Sequence, residues 1–334
     1  GMGIPAPIVA GAVVTGASFG DKLSPLSDST NLAAATAQAG LFDHVRHMLK
    51  TTVPSFLLAL VVYGIISTTL DANAGNPEVI EKLTSVIDAN FKISPLIFIP
   101  PVIIILMIGL KVPPVPGMLV GVIAGVVMCF YQGADVGTIL TTIYSGPTIE
   151  TKNEMVDKLL ARGGLLFMME TISLVICALS FGGAIKAIGA VDTIIETILK
   201  HVRRRGSIIA TNVVMSIFCN FAAADQYMSI VIPGQMYKKV YKQLNMAPEN
   251  LSRTLEDAGT LTSGLVPWST CGAVYLATLN VSAFAYGRYH LIGIINPIIA
   301  IVYAYAGIFL NPLDKSKPIK TRLTDEDIVE MDKA

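Results

Sequence analysis

The chain has 334 residues, of which 53% are hydrophobic and only 14% are charged. This composition is typical of a protein that crosses a membrane several times, and it excludes an ordinary water-soluble domain. The formal net charge of +0 excludes the overall basic field that would attract nucleic acid.

The first polar segment, GDKLSPLSDSTN at 20–31, lies between two strongly apolar stretches. Pro25 stops a helix there, and a helix that breaks inside a membrane must line a cavity, because its freed N–H and C=O groups need partners. The surrounding carboxylates and hydroxyls are hard oxygen ligands that suit a cation such as sodium. The candidate ligands are Asp21, Ser24, Ser27, Asp28, Ser29 and Thr30.

Two structural interpretations of these charges remain open. Asp28 can cap the helix that starts near Thr30. Lys22 can neutralise Asp21 as an ion pair. Neither interpretation requires a bound ion.

Long apolar runs predict the membrane-spanning helices, because a bilayer core of about 30 Å needs about 20 helical residues. The runs lie at 52–70, 93–110, 115–134, 163–185, 206–224 and 289–313. Glu170, in the fourth run, is an intramembrane acid unless it faces the interface. The prolines of KVPPVPG at 111–117 predict a tight hairpin between the second and third runs.

Basic residues in the loops predict the orientation of these helices. Segments 43–50 and 186–206 are basic and are expected in the cytoplasm, whereas 71–92 and 135–162 lean acidic. Residues 1–313 are expected to form the membrane domain. Residues 314–334 are expected to form a short, solvated cytoplasmic tail.

The first polar segment has a counterpart near the C-terminus. Pro25, Ser27 and Pro54 correspond to Pro267, Ser269 and Pro297, and the two prolines of each copy lie 29 and 30 residues apart. These spacings predict an internal repeat with copies at about 10–70 and 256–310. Chance similarity between apolar helices is the alternative.

The number of crossings predicts how the two copies are related. If each copy forms a re-entrant hairpin, five spans separate them, and an odd number places them in opposite orientations. Inverted repeats of this kind are common in secondary transporters. The count requires that 206–240 crosses once, as a helix broken near Ala224 and Asp225. We then expect the breaks at 24–28 and 266–270 to approach each other near the midplane.

The second break, VPWSTCG at 266–272, offers Ser269 and Thr270 but no carboxylate. Asp225, Glu256 and Asp257 can supply one. A carboxylate at membrane depth costs roughly 2.5 to 3.5 kcal/mol, so it is a functional candidate. A group that holds either a proton or a metal cation, but resists holding both, has the chemistry of an exchanger. The alternative for Glu256 and Asp257 is that they are ordinary first-turn acids of a helix.

Three long segments together resemble the NhaC-type sodium/proton antiporter family of the ion transporter superfamily. They read GAVVTGASFGDKLSPLSDSTNLA, ADQYMSIVIPGQMY and NLSRTLEDAGTLTSGLVPWSTCGA. The resemblance implies a bacterial or archaeal inner-membrane protein that exchanges cytoplasmic sodium for external protons without a cofactor. Family members are longer, so we expect the first repeat to be truncated at its N-terminus, where the counterpart of 206–240 would lie.

The resemblance also implies the site residues. They are Asp21, Ser24, Ser27, Asp28, Thr30, Asn31, Asp225, Glu256, Asp257, Ser269 and Thr270, with Asp28 and Asp225 as sodium ligands. The expected partners are sodium ions, protons, the lipid bilayer and a second copy of the chain in a homodimer. The sequence thus predicts an all-α polytopic membrane protein with inverted structural repeats, re-entrant hairpins and a broken transmembrane helix.

Three other functions compete with sodium/proton exchange. An intramembrane aspartyl protease would carry YD and GxGD motifs, but the chain has no YD and only SFGD at 18–21. A purely structural subunit would not explain acids at helix breaks. A sodium-coupled organic-acid exchanger of the malate/sodium-lactate type stays open, because hydroxyls and helix N-termini also hold carboxylate substrates.

Overall fold

The computed structural model describes residues 4–70, 77–110, 112–148 and 201–333, together with scattered positions between 151 and 200. Within these residues the secondary structure is helical, and β-structure is confined to two isolated bridges. The chain divides into two compact units. The smaller contains Ala72–Cys177, and the larger contains Ile4–Asp71 and Ala178–Ala334.

The smaller unit is built around a helical hairpin. Its helices are α4 (Pro77–Asn90), α5 (Ile99–Gly109), α6 (Pro114–Gln132) and α7 (Val136–Ser145), with a 3₁₀ turn at Pro95–Phe98 before α5. Gly121 faces Ile104, and Gly117 faces Met107, so α5 and α6 run antiparallel. The hairpin predicted from KVPPVPG is confirmed. Pro113 is the N-cap of α6, and Pro114 and Pro116 lie in its first turn, where a helix needs no N–H from proline.

The larger unit contains the polar segments. Its helices are α1 (Ala6–Leu23), α2 (Asp28–Ala37), α3 (Leu41–Thr68), α8 (Arg205–Ala223), α9 (Gln226–Gln243), α10 (Pro248–Leu255), α11 (Thr270–Leu279), α12 (Ala283–Tyr286), α13 (Leu291–Ala306) and α14 (Asp325–Lys333). Helix α10 continues through a π-helical turn, Glu256–Thr260, into a short α-helical turn, Leu261–Ser263.

Several described helices are long and apolar enough to cross a membrane. They are Leu41–Thr68, Val115–Gln132 and Arg205–Ala223, and the number rises to five if two sharply bent helix pairs each count as one span. The predicted spans at 52–70, 115–134 and 206–224 are thereby confirmed. The predicted span at 163–185 falls largely outside the described residues, and Glu170 with it. The protein is an all-α polytopic membrane protein.

The first polar segment interrupts a helix that continues in the same direction. Tyr63, near the C-terminal end of α3, donates to Thr15 of α1 at 2.9 Å. Lys22, at the C-terminal end of α1, and Thr51, in the first half of α3, both bind Asp257 and therefore lie at the same height. Helix α2 then ends where α3 begins. Helices α1 and α2 therefore run in succession antiparallel to α3, and the expectation of a re-entrant hairpin here is wrong.

The second polar segment also interrupts a continuing helix. Asn296 of α13 binds Asp257 at 2.7 Å, and His290, before α13, contacts the Leu261 carbonyl at 3.0 Å. The extended α10 is thus antiparallel to α13. Beyond the break, α11 ends at Leu279, which packs near the start of α1. The two broken helices therefore run in opposite directions, as an inverted repeat requires, but each is a discontinuous helix rather than a hairpin.

Residues 206–240 form a helical hairpin, whereas the sequence predicted a single crossing here and hairpins at the two repeat copies. Asn212 of α8 donates to the Tyr241 hydroxyl of α9 at 3.2 Å, although a continuous helix would separate these residues by roughly 43 Å. The break is at the predicted position, where Ala224 adopts a left-handed conformation with φ 57° and Asp225 begins α9. The predicted single crossing is wrong, so the count of five crossings no longer supports the inverted orientation. The contacts of α1, α3, α10 and α13 support it instead.

The C-terminal tail packs on the larger unit instead of extending into solvent. Leu323 and Met331 are only 1% and 7% exposed and belong to the main hydrophobic cluster with Tyr241 and Leu244. The Arg205 N–H donates to the Thr321 carbonyl at 2.9 Å. The expectation of a solvated tail is wrong, because its apolar side chains cover the open ends of α8 and α9. The tail and the basic segment at 201–206 lie at the same end of the unit.

Spin labels at Ser207 and Lys242 test the α8–α9 hairpin. In full-length protein whose cysteines have been replaced, we expect pulsed EPR to give a short distance between the labels. A single continuous crossing would separate them by roughly 50 Å, and that result would contradict the hairpin. Labels at Ser207 and Ala222 are the matched control, since both lie in α8 and should be about 22 Å apart in either architecture.

Candidate functional site

The tip of the α8–α9 hairpin contacts both helix breaks. The Tyr227 hydroxyl donates to Asp28 Oδ2 at 2.6 Å, beside the first break. At the second break, the Thr270 N–H donates to the Ala224 carbonyl at 3.0 Å, and the Thr270 hydroxyl donates to Asp225 Oδ2 at 3.3 Å. The two breaks thus meet the same hairpin tip, which links residues far apart in the sequence.

Polar side chains at the first break satisfy the backbone groups that the break frees. The Thr30 hydroxyl donates to the Lys22 carbonyl at 3.0 Å. Asn31 Nδ2 donates to the carbonyls of Pro25 and Ser27 at 2.9 and 2.7 Å. The Ser24 hydroxyl accepts from the Leu26 N–H at 3.2 Å. These bonds explain how the chain can stop being helical here, since unpaired backbone groups in an apolar surrounding are costly.

The carboxylates of the first break keep free acceptor positions. Ser27 is the N-cap residue of α2, and its hydroxyl lies 3.2 Å from that of Ser29. Asp28 is therefore the first residue of α2 rather than its cap, although Asp28 Oδ1 accepts from the Ser29 N–H at 2.8 Å. Asp21 lies beside Ser27 and Asp28 and is exposed. Two carboxylates thus face one open region.

At the second break, a serine and an aspartate act as helix caps. Ser269 is the N-cap of α11, where its hydroxyl accepts from the Gly272 N–H at 3.0 Å and donates to the Ser263 carbonyl at 2.7 Å. Asp225 is the N-cap of α9, where Oδ1 accepts from the Met228 N–H at 3.0 Å. Asp225 is only 5% exposed. Its carboxylate therefore lies at a helix N-terminus, which favours negative charge.

Asp257 is at the centre of a buried polar network. Lys22 forms an ion pair with Asp257 Oδ1, and both side chains are fully buried. The Thr51 hydroxyl donates to the same oxygen at 2.9 Å, and Asn296 Nδ2 donates to it at 2.7 Å. Arg253 Nε lies 3.8 Å from Oδ2. Elements that are far apart in the sequence thus converge on one carboxylate.

Two interpretations from the sequence are corrected by this network. The expected ion pair between Lys22 and Asp21 is wrong, because successive helix residues point about 100° apart and Lys22 points inward to Asp257. Glu256 and Asp257 are not first-turn acids, because α10 begins at Pro248. They occupy a π-helical turn, a departure from the α-helix that is frequent at functional sites.

Glu256 is a buried carboxyl group in the π-helical turn. It is 0% exposed, and within the described part of the chain neither carboxyl oxygen has a partner with hydrogen-bond geometry. The hydroxyls of Ser29 and Thr260 and the ammonium group of Lys22 lie nearby. Burying a carboxylate costs several kcal/mol, and Lys22 is already paired with Asp257, so Glu256 needs either a proton or a bound cation.

Sequence reasoning missed several members of the site. Tyr227 lies within the quoted ADQYMS segment, but an aromatic residue there gave no sign that it reaches Asp28. Thr51 lies three residues before Pro54 and Asn296 lies one residue before Pro297, and a polar side chain close to each repeated proline was the available signal. Arg253 was overlooked because a basic residue beside two acids resembles an ordinary surface helix. In the structure it is 2% exposed.

Comparison with known proteins identifies the family. The sequence model of the Na+/H+ antiporter family matches residues 16–308. The Na+/H+ antiporter NhaC of Alkalihalophilus pseudofirmus is 40% identical over 315 residues, which cover 92% of this chain and 66% of that protein. NhaC of Bacillus subtilis is 34% identical, over 91% of this chain and 67% of its own length.

A further relative has a different name. The malate-2H+/Na+-lactate antiporter of Bacillus subtilis is 32% identical, over 93% of this chain and 66% of its own length. The chain thus spans about two thirds of the length of these curated relatives. No solved structure matches it. On the match to the family model, the chain belongs to the Na+/H+ antiporter family.

Proposed function

We propose that the protein exchanges sodium ions for protons across the membrane. The observation that carries this proposal is Glu256, a fully buried carboxyl group whose two oxygens have no hydrogen-bond partner within the described residues. Such a group is stable with a proton or with a cation, and it loses one when it gains the other. Membership of the Na+/H+ antiporter family supports the same activity.

Sodium is held, in this proposal, where the hairpin tip meets the two breaks. Asp28 and Asp225 are its carboxylate ligands, and each has acceptor capacity left, because a carboxylate offers about four lone-pair sites and each side chain accepts two hydrogen bonds here. Asp21, Ser27 and Thr270 contribute further oxygens. Glu256 lies deeper, where it takes up the proton or shares the cation.

The charged end of the larger unit indicates the orientation of the protein in the membrane. Lys50 lies 3.4 Å from Asn311 at the start of the tail, and the basic segment 201–206 binds the same tail. Basic segments favour the cytoplasm. We therefore place this end inside a bacterial or archaeal cell, with the protein in the inner membrane, where an inward proton gradient would drive the export of sodium.

Organic-acid exchange is the second candidate, favoured by the relative that is named a malate/lactate antiporter. A carboxylate substrate would need a free cationic side chain or a free helix N-terminus. Lys22 is already paired with Asp257, and Arg253 donates to the Phe309 carbonyl at 2.7 Å. Neither buried cation is therefore free to bind a carboxylate substrate, so sodium/proton exchange fits the site better than organic-acid exchange.

Full-length protein in vesicles with an acidic interior tests the choice between the two. We expect the addition of sodium to dissipate the pH gradient without lactate or malate. The apparent affinity for sodium should weaken as the pH falls, because protons compete for the same carboxylates. If sodium alone does nothing, and flux appears only with lactate or malate, the organic-acid exchanger replaces the present proposal.

The Glu256→Gln substitution tests the buried carboxyl group. The amide has nearly the same shape but cannot exchange a proton for sodium, so sodium-driven proton flux should be lost while the protein stays folded. Even a loss of about 1.4 kcal/mol in sodium binding lowers the affinity tenfold. The control is Asp43→Asn, at an exposed acid of α3, which should keep wild-type flux. Wild-type flux in Glu256→Gln would remove the central support of the proposal.

Asp28→Asn and Asp225→Asn test the proposed sodium ligands. Each should abolish exchange, because a neutral amide lacks the charge that holds sodium. The amide oxygen can still accept the backbone N–H that binds Oδ1 at each site, and the amide NH2 can donate to the hydroxyl that binds Oδ2. Folding is checked by thermal unfolding of the purified proteins. Normal sodium-dependent proton flux in both variants would exclude these two residues from the mechanism.

A further inference from the structure

Tyr227 joins the tip of the α8–α9 hairpin to the first break through its side chain. Its hydroxyl donates to Asp28 Oδ2 at 2.6 Å. The second break binds the same tip partly through the backbone, because the Thr270 N–H donates to the Ala224 carbonyl at 3.0 Å. The contact between the tip and Asp28 thus depends on a hydroxyl group that a single substitution can remove.

Helix packing fixes the place of Tyr227 relative to Asp28. Tyr227 is the second residue of α9, and Asp28 is the first residue of α2. Further along, Gly234 of α9 lies so close to Thr36 of α2 that a Cβ atom added at position 234 would be 2.3 Å from Thr36 Cγ2. The two helices therefore run side by side in the same direction, with their N-termini together.

Two neutral donors hold the two oxygens of the Asp28 carboxylate separately. Oδ1 accepts from the Ser29 N–H at 2.8 Å, and Oδ2 accepts from Tyr227. Asp28 is exposed, so without the hydroxyl its side chain would be free to turn among its rotamers. A hydrogen bond to a charged group is also stronger than one between neutral groups. The carboxylate is thus oriented in advance, and lone pairs remain on both oxygens.

We propose that Tyr227 is a positioning residue of the sodium site, which orients the Asp28 carboxylate for the ion. The hydroxyl keeps its proton throughout, and its hydrogen bond to Oδ2 persists while sodium binds the lone pairs of Asp28 that remain free. The ion therefore does not have to order this side chain when it binds, which raises its affinity. This inference rests on the proposed sodium/proton exchange and adds a residue to its sodium site.

The Tyr227→Phe substitution tests the proposal, because it removes the hydroxyl and keeps the ring. Equilibrium binding of ²²Na to purified full-length protein should weaken by about fivefold, or about 1 kcal/mol, since the ion must then also order Asp28. Tyr144→Phe, at a tyrosine of α7 that is 57% exposed, is the matched control and should bind sodium as wild type does. Unchanged binding in Tyr227→Phe would overturn the proposal. Tighter binding would overturn it too, because the hydroxyl would then compete with sodium for Asp28.

Transport kinetics separate the orientation of Asp28 from damage to the fold. In vesicles, Tyr227→Phe should raise the KM for sodium by the same factor and leave the maximal rate within about twofold of wild type. A misfolded fraction would instead lower the maximal rate without a change in KM, and that result would overturn the positioning role. If wild type itself binds no sodium, the proposed function fails, so the two failures are distinguishable.

Discussion

The ion pair between Lys22 and Asp257 is the interaction on which the larger unit depends. It joins the last turn of α1 to the π-helical turn of the extended α10, and Thr51 and Asn296 bring α3 and α13 to the same carboxylate oxygen. Removal of one partner from a buried pair costs about 3–5 kcal/mol, because the other charge is left unpaired. Both broken helices are thus joined by one electrostatic contact, which lies beside the first break.

Ion binding becomes possible because some carboxyl groups keep oxygens without a hydrogen-bond partner among the described residues. Side chains such as Thr30 and Asn31 satisfy the backbone at the first break, and Ser269 does so at the second. Glu256 is left without a hydrogen bond within the described residues, and Asp21 and Asp28 face an open region. Hydrogen bonds therefore hold the helix breaks in place, while carboxyl groups remain available to bind either a proton or sodium.

The sequence predicts the local features well and the long-range contacts poorly. Proline and hydroxyl residues located the breaks near Pro25 and Pro267, and the sequence around Ala224 located the third, because these signals are local. The partner of Lys22 could not be predicted, since Asp257 lies 235 residues away. The hairpin of α8 and α9 depends on contacts such as that of Asn212 with Tyr241. A broken helix and a hairpin have the same local sequence pattern, so only long-range contacts distinguish one from the other.

The central claim is that sodium displaces a proton from a buried carboxyl group at this site. Infrared difference spectroscopy of the purified protein, with and without sodium, observes this event directly through the C=O stretch of a protonated carboxyl group. The account predicts that sodium removes such a band in wild type and that the band is absent in Glu256→Gln. A difference spectrum in which sodium leaves the protonated carboxyl band of wild type unchanged would contradict the account.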